Sequence, residues 1–321
     1  MRRPWTRTPE KSTPEMGMRG RAMAPSETGS ASLALTRKVG SIRIHALDAG
    51  RVRLEGGAMF GVVPRVLWEK RIAPDARHRI PIALRCLLIE APDALVLVDT
   101  GVGNKEDAKF RDVFGVENDG DPTRLEDAIR AAGFDPGDVD IVLLTHLHFD
   151  HVGGAAMKRE DGSIVPAFPK ARYVVQRGEL EFSRGANERI RASYLQRSIE
   201  PITTAGLWDL LDGDTLVTPG VRAVVTPGHT PHHQCVLVES GGETACFLAD
   251  LCPTAAHLPL PWIMAYDLEP LVTLETKRAL WRCAIEEDWL LVFEHDPQTP
   301  WGRLDSDGKA LRLGEAPRSD R

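Results

Sequence analysis

The chain has 321 residues, 42% hydrophobic and 27% charged, with a formal net charge of −6. No apolar run approaches the ~18 residues of a membrane span, and the apolar content is too high for a wholly disordered chain. The acidic balance gives no global reason to bind nucleic acid, so neither nucleic acid nor membrane is expected as a partner.

The charge is uneven. Residues 1–38 carry eight Lys/Arg and three Glu, a net of +5, and the remainder carries −11. The first 31 residues hold four Pro and three Gly with little apolar periodicity. Residues 1–36 therefore read as a flexible basic tail, 37–315 as one folded domain and 316–321 as a C-terminal tail. Arg2 and Arg3 are followed by no apolar stretch of signal-peptide length, so a cytoplasmic location is expected. The five cysteines form no CxxC pair and read as free thiols in a reducing compartment.

From residue 41 short β-type runs recur. SIRIHAL (41–47) and RVRLEG (51–56) read as a hairpin around Asp48-Ala49-Gly50. ALRCLLIE (83–90) and ALVLVDTG (94–101) are apolar on both faces, like central strands of a covered sheet. Residues 124–132 predict a helix stopped by Gly133, and DIVLLTH (140–146) is a buried strand ending in polar residues. RYVVQ (172–176), 214–220 and 221–228 read as strands. QCVLVES (234–240) and ETACFLAD (243–250) form a hairpin on Gly241-Gly242. Residues 267–287 show helical periodicity. LLVFEHD (290–296) is a last buried strand, and 301–313 looks like a closing hairpin. Hairpins with helices between them favour an α/β fold of two sheets face to face with helices outside, a four-layer αββα sandwich.

The richest stretch is Thr145-His146-Leu147-His148-Phe149-Asp150-His151, directly after a buried strand. His146 and His148 project to one side in extended chain, and a turn brings Asp150 and His151 back. Imidazole and carboxylate together suit zinc or a similar divalent ion. Three more donors stand at strand ends: His229, Asp250 and His295. Seven donors exceed one tetrahedral zinc site and suffice for two ions sharing a carboxylate.

HxHxDH, then GH, then a lone Asp, then a late His, resembles the metallo-β-lactamase superfamily over about residues 40–315. The resemblance implies the αββα fold and two divalent ions per chain, zinc foremost, with iron, manganese or cobalt as alternatives. It implies that His146, His148 and His229 hold one ion and that Asp150, His151 and His295 hold the other. Asp250 would bridge, and Asp99 in LVDTG would support the ligands from behind. DTGVGNKEDAKFRDVFG (99–115), GHTPHHQ (228–234), PWIMAYDLEPLVTLETKR (261–278) and EHDP (294–297) are most similar to the quorum-quenching N-acyl-homoserine lactonase branch and its organophosphate-hydrolysing relatives. The early loop GGAMFGVVPRVLWEK (56–70) also resembles that branch. The expected activity is lactone opening by a metal-bridging hydroxide. Phosphotriester or aryl- or thioester hydrolysis is the alternative, and a non-catalytic ligand-binding module is the reading from another class.

Two positions depart from the branch. Pro253 stands where a Tyr is usual three residues after the bridging Asp, and His232 stands where Gly is usual. Tyr266 is the candidate replacement phenol. The catalytic set read from the sequence is Asp150, Asp250, His233 and Tyr266. Met59, Phe60, Trp68, Leu260, Trp262 and Met264 lie on two apolar loops that would line the substrate pocket. Core packing or a homodimer interface would explain these loops as well.

Overall fold

The computed structural model describes residues 32–312. The strands of the first half are β1 Ala34–Val39, β2 Ile42–Glu55, β3 Arg79–Ala91, β4 Ala94–Val98, β5 Ile141–Leu143, a small ribbon of β6 Ala156–Lys158 and β7 Ile164–Pro166, then β8 Arg172–Gln176 and β9 Trp208–Leu211. Those of the second half are β10 Thr215–Thr218, β11 Val221–Val225, β12 Gln234–Ser240, β13 Glu243–Phe247, β14 Leu290–Val292, β15 Trp301–Leu304 and β16 Leu311–Arg312. The helices are α1 Gly56–Phe60, α2 Arg65–Trp68, α3 Ala108–Phe114, α4 Arg124–Ala131, α5 Phe149–Val152, α6 Arg177–Arg184, α7 Gln196–Ala205 and α8 Pro270–Glu286.

Two seven-stranded sheets result, in the orders β1-β2-β3-β4-β5-β8-β9 and β10-β11-β12-β13-β14-β15-β16. Period-two alternation sorts their side chains into three cores. Ile89 and Val98 of the first sheet meet Val236, Phe247 and Val292 of the second in the layer between the sheets. The opposite face of the first sheet, with Cys86, Leu88 and Leu97, packs on Leu125 and Ile129 of α4, Leu180 of α6 and Ile202 of α7. The opposite face of the second, with Cys235, Leu237 and Cys246, packs on Leu280, Trp281 and Ala284 of α8. Helices, sheet, sheet and helix are thus stacked as an αββα sandwich. No helix among the described residues is long and apolar enough to cross a membrane.

Two expectations change. Asp48-Ala49-Gly50 is not a hairpin turn: β2 runs unbroken through it and pairs with β3 on both sides, with the register shifting between Asp48 and Arg51. The three residues make a bulge, a device that bends a long strand without ending it. The antiparallel partner before it is β1, paired from Ala34 with Leu47. The domain therefore begins earlier than residue 37. Its edge strand was hidden because ALTRKV is short and charged, as exposed edges tend to be. The rest of the expected N-terminal tail, and residues 313–321, lie outside the described residues.

Candidate metal centre

The donors sit just past the ends of strands on one rim of the sandwich. Asp99 follows β4, residues 145–151 follow β5, His229 follows β11, Asp250 follows β13 and His295 follows β14. Parallel pairing of β4 with β5 and of β13 with β14 brings these strand ends to the same edge. The backbone is unusual where it delivers them. Asp99 and Ala249 have φ of 55° and 43°, a region costly for residues with a Cβ. Gly228, at φ 137°, lets His229 approach α8 so closely that a Cβ there would strike the backbone of Thr273.

The donors form two groups. His146, His148, His229 and Asp250 offer atoms that all lie within 4.8 Å of one another, and so do Asp150, His151 and His295. Asp250 reaches both. Its Oδ2 lies 3.0 Å from His229 Nε2, and its Oδ1 lies 2.9 Å from His295 Nε2. The same Oδ1 is 3.6 Å from His151 Nε2, and Oδ2 is 3.8 Å from His146 Nε2. Asp150 stands 3.8 Å from both His151 Nε2 and His295 Nε2. His146 and His151 are fully enclosed, and Asp150, Asp250 and His148 open slightly to a cavity.

Hydrogen bonds fix which ring nitrogen faces inward. Thr145 donates its hydroxyl to Asp99 Oδ2 at 2.7 Å, so it accepts from His146 Nδ1 at 3.1 Å. His229 Nδ1 donates to Asp267 Oδ1 at 2.9 Å, and His295 Nδ1 to the Ala83 carbonyl at 2.7 Å. His151 Nδ1 has Asp99 Oδ2 at 3.1 Å and Glu294 Oε2 at 3.2 Å. With the proton on Nδ1, each of these four rings points an Nε2 lone pair into the centre. His148 is the exception and presents Nδ1, 3.1 Å from His229 Nε2.

These lone pairs then face one another. His295 Nε2 is 3.2 Å from His151 Nε2, and His146 Nε2 is buried with no hydrogen-bond partner. Facing acceptors demand positive charge between them, and an N/O donor set of this kind fits divalent cations. The same demand shows in the titration. Burial alone would lower His229 and His295, yet Asp250 overrides it and raises them to about 10 and about 9. His151 is likewise opposed by burial but driven well above the usual imidazole range by Glu294, Asp150 and Asp250. His146 and His148 go the other way, lowered by burial and then by the neighbouring imidazoles.

Three supports were not singled out from the sequence. Asp267 and Glu294 lie inside motifs that were noticed, but nothing marked which acid would turn inward. Glu179 of α6 accepts from Leu147 N, Tyr194 Oη and Thr230 Oγ1 at 3.1, 2.9 and 2.7 Å, tying the first His motif to the GH turn. It comes from a polar helix with no motif at all. Asp99, read from the sequence as a support, lies 3.1 Å from His151 Nδ1 and accepts from the Thr145 hydroxyl.

A cavity of about 340 Å³ opens over the two groups. Among its walls are Leu54, Met59, Phe114, Phe149, Ile190, Met264 and Leu268, together with Arg189, Ser193 and Tyr266. Of the expected pocket residues, Met59 and Met264 line it and four do not. Phe60 is fully buried, stacked on His257 at 4.5 Å and on Trp68 at 5.3 Å, with Trp262 edge-on at 5.7 Å. Leu260 packs with the cluster under α8. These loops are apolar because Met59, Phe60, Trp68, Trp262 and Met264 join the core on the outer face of the first sheet. His233 also moves. It is fully buried, does not line the cavity, donates from Nδ1 to Thr226 Oγ1 at 2.8 Å and lies against the His146 ring. It packs on the rings of His146 and His229, so any effect on the centre would pass through them. Burial, with His229 nearby, lowers it to about 3. Tyr266 does line the cavity. Burial first, then Glu55 and Asp150, raises its hydroxyl to about 12, so it keeps its proton at neutral pH. Cys252 is a buried thiol raised to about 12, chiefly by desolvation, and belongs to neither group. His232 has its ring where a Cβ on Gly178 would stand, so that glycine makes room for it.

The family model of the metallo-beta-lactamase superfamily matches residues 83–295. An N-acyl homoserine lactonase from a Bacillus species is 32% identical over 206 residues, 62% of this chain and 70% of its own length. The crystal structure of a probable metal-dependent hydrolase from Staphylococcus aureus aligns with a TM-score of 0.79 and 29% identity, covering 87% of this chain and 100% of its own. AidC, a dizinc quorum-quenching lactonase solved with a product, aligns with a TM-score of 0.72, covering 89% of this chain and 99% of its own; at 20% identity it speaks for the fold. Matched from β3 to His295, with its donors gathered at one rim of an αββα sandwich, the chain belongs to the metallo-beta-lactamase superfamily and is a metal-dependent hydrolase of ester bonds.

Proposed function

We propose that the protein opens the lactone ring of N-acyl-homoserine lactones at a dinuclear centre. One observation carries this reading furthest: Asp250 divides its two oxygens between the two donor groups, at 3.0 and 2.9 Å, at a cavity with largely apolar walls. The lactonase relative and the dizinc neighbour support the same choice.

In this reading His146, His148 and His229 would hold one ion and Asp150, His151 and His295 the other, with Asp250 shared between them. Zinc is the foremost candidate, because the donors are imidazole and carboxylate with no thiolate. Two such ions lower the pKa of a water towards neutrality and polarise an ester carbonyl. The residues of the chain do the rest. The apolar walls take the acyl chain, and the Tyr266 hydroxyl donates to a substrate carbonyl. A water oxygen forms the new bond to the lactone carbonyl carbon, and its proton passes to the Asp150 carboxylate. The ring C–O bond then breaks, and Asp150 returns the proton to the departing alkoxide, which stays tethered to the product. Tyr173 and Tyr194 are already committed, to Ala155 O and to Glu179, which leaves Tyr266 as the phenol free to donate.

The test is a panel on metal-replete protein: acyl-homoserine lactones, a paraoxon-type triester and S-lactoylglutathione. Lactone turnover well above the other two is expected, with loss after chelation and return on adding zinc. Inert lactones beside a reactive triester would replace this reading with organophosphate hydrolysis.

A further inference from the structure

We propose that Arg189 makes the cavity selective for substrates whose acyl chain carries a carboxylate away from the scissile bond. The proposal rests on the ester-opening reading above and names its substrate class.

Arg189 lies on the 187–195 loop and lines the cavity with Ile190, Ser193 and Tyr266. Apart from the metal-ligand candidates, Ser193 and Tyr266, the other wall residues are apolar, so among the described residues Arg189 is the cation the cavity presents. Its backbone N–H donates to Asn187 Oδ1 at 3.0 Å, and its guanidinium makes a long contact from Nη2 to the Ala265 carbonyl at 3.3 Å, the residue before Tyr266. A guanidinium has five N–H donors, so most of its fork is uncommitted.

The other cations of the protein show what a structural role looks like here. Arg85 gives Nη bonds to the Phe293, Glu294 and Asp296 carbonyls, and Lys277 is buried against the His257, Pro259 and Trp262 carbonyls. Exposed arginines such as Arg77 and Arg177 pair with Asp112 and Asp212. Among the described residues no carboxylate lies within ion-pair distance of Arg189. Arg189 is exposed, and so are Arg184, Arg191 and Arg282, which also lack an ion pair among the described residues; what sets Arg189 apart is its place on the cavity wall. A planar fork over an apolar cavity matches a carboxylate bidentately. A neutral chain would use the walls and leave the fork idle.

The experiment compares N-hexanoyl-homoserine lactone with its N-adipoyl counterpart, which ends in a carboxylate, on the zinc-loaded full chain. Wild type should favour the anionic lactone about tenfold in kcat/KM, carried by KM, an effect trimmed by the exposure of Arg189. The preference should shrink at high salt, fall to about one in Arg189→Gln and invert in Arg189→Glu. Equal use of both lactones by wild type, or a preference that survives Arg189→Gln, overturns the proposal. If neither lactone opens, the lactone reading falls separately. The pair 4-nitrophenyl hexanoate and 4-nitrophenyl hydrogen adipate then decides the role of Arg189 by the same ratio.

Discussion

Behind His151 stand two carboxylates, Asp99 at 3.1 Å and Glu294 at 3.2 Å; behind His146 stands the hydroxyl of Thr145, also at 3.1 Å. The contrast runs through both donor groups. The first has one anion behind its imidazoles, Asp267 at His229, and two of its rings are held well below the usual range by burial and by each other. In the second, Glu294, Asp150 and Asp250 override desolvation at the rings, and both rings bind protons tightly, while burial raises Glu294 itself to about 8. The same ligand chemistry is thus set in two different fields. A divalent ion entering the first group meets mostly neutral donors, whereas one entering the second must displace protons. Asp250 serves both fields, so it is where the comparison breaks most completely.

Asp250→Ala should have the largest effect. Removing the shared oxygens should bring metal content from about two ions per chain to one or none and lower kcat/KM by at least ~100-fold, beyond the usual loss on removing a mere supporting residue. Elemental analysis after metal-replete expression checks the first half. Two ions retained would mean that the groups bind independently.

Proton release separates the groups next. Between about pH 8 and 9, where Glu294 is ionised and His295 protonated, filling the second group should expel about two protons, from His151 and His295. Filling the first should expel about one, from His229, raised to about 10. The sign follows from competition: lowering pH adds protons to rings that must lose them to bind metal, so affinity falls. The fall should be about a hundredfold per pH unit for the second group and about tenfold for the first. Stepwise calorimetry in buffers of different ionisation enthalpy measures both counts, and equal counts would remove the distinction.

The supporting acids offer a finer cut. Asp99→Asn should weaken the second group about 10- to 100-fold in metal affinity and the first by less, through Thr145 and His146, whereas Asp267→Asn should weaken the first group by the larger factor and spare the second. Competition with a chelator, read on cobalt-substituted protein, reports each step. If both variants weaken the same step most, the division drawn from Asp250 is wrong.

How far this centre was legible in the sequence depended on what kind of signal each residue leaves. His146, His148, Asp150, His151, His229, Asp250 and His295 end apolar strands abruptly, and that edge is visible in one dimension. Asp267, Glu294 and Glu179 act through contacts whose partners lie far along the chain, 38 residues from His229 for Asp267 and 51 from Thr230 for Glu179. Spacing therefore carried no trace of them. The apolar loops were misleading for a related reason: Phe60, Trp68 and Trp262 are as greasy as pocket walls, and only the stack with His257 shows that they face each other. The two-sheet architecture was readable because the strands are apolar on both faces. The bulge at Asp48-Ala49-Gly50 was not, because bulges and turns draw on the same residues.

The smallest expected effect belongs to Tyr266. The phenol lines the cavity that opens over both groups, and burial, then Glu55 and Asp150, raises its pKa. A donor lost from a fully dry site would cost several kcal/mol, but Tyr266 is 38% exposed, so water replaces part of what the phenol gives. Tyr266→Phe should therefore lower kcat/KM for lactones by about 1 kcal/mol, roughly fivefold. Metal content should stay the same, since the ring touches neither group's inward nitrogens. Proton release from the second group should also stay at about two, because the phenol keeps its proton throughout the range where those imidazoles titrate. A fivefold loss with both metal readouts constant makes Tyr266 a substrate-facing donor beside Asp150. Unchanged lactone kinetics would pass that role to another group and leave the two-field centre standing.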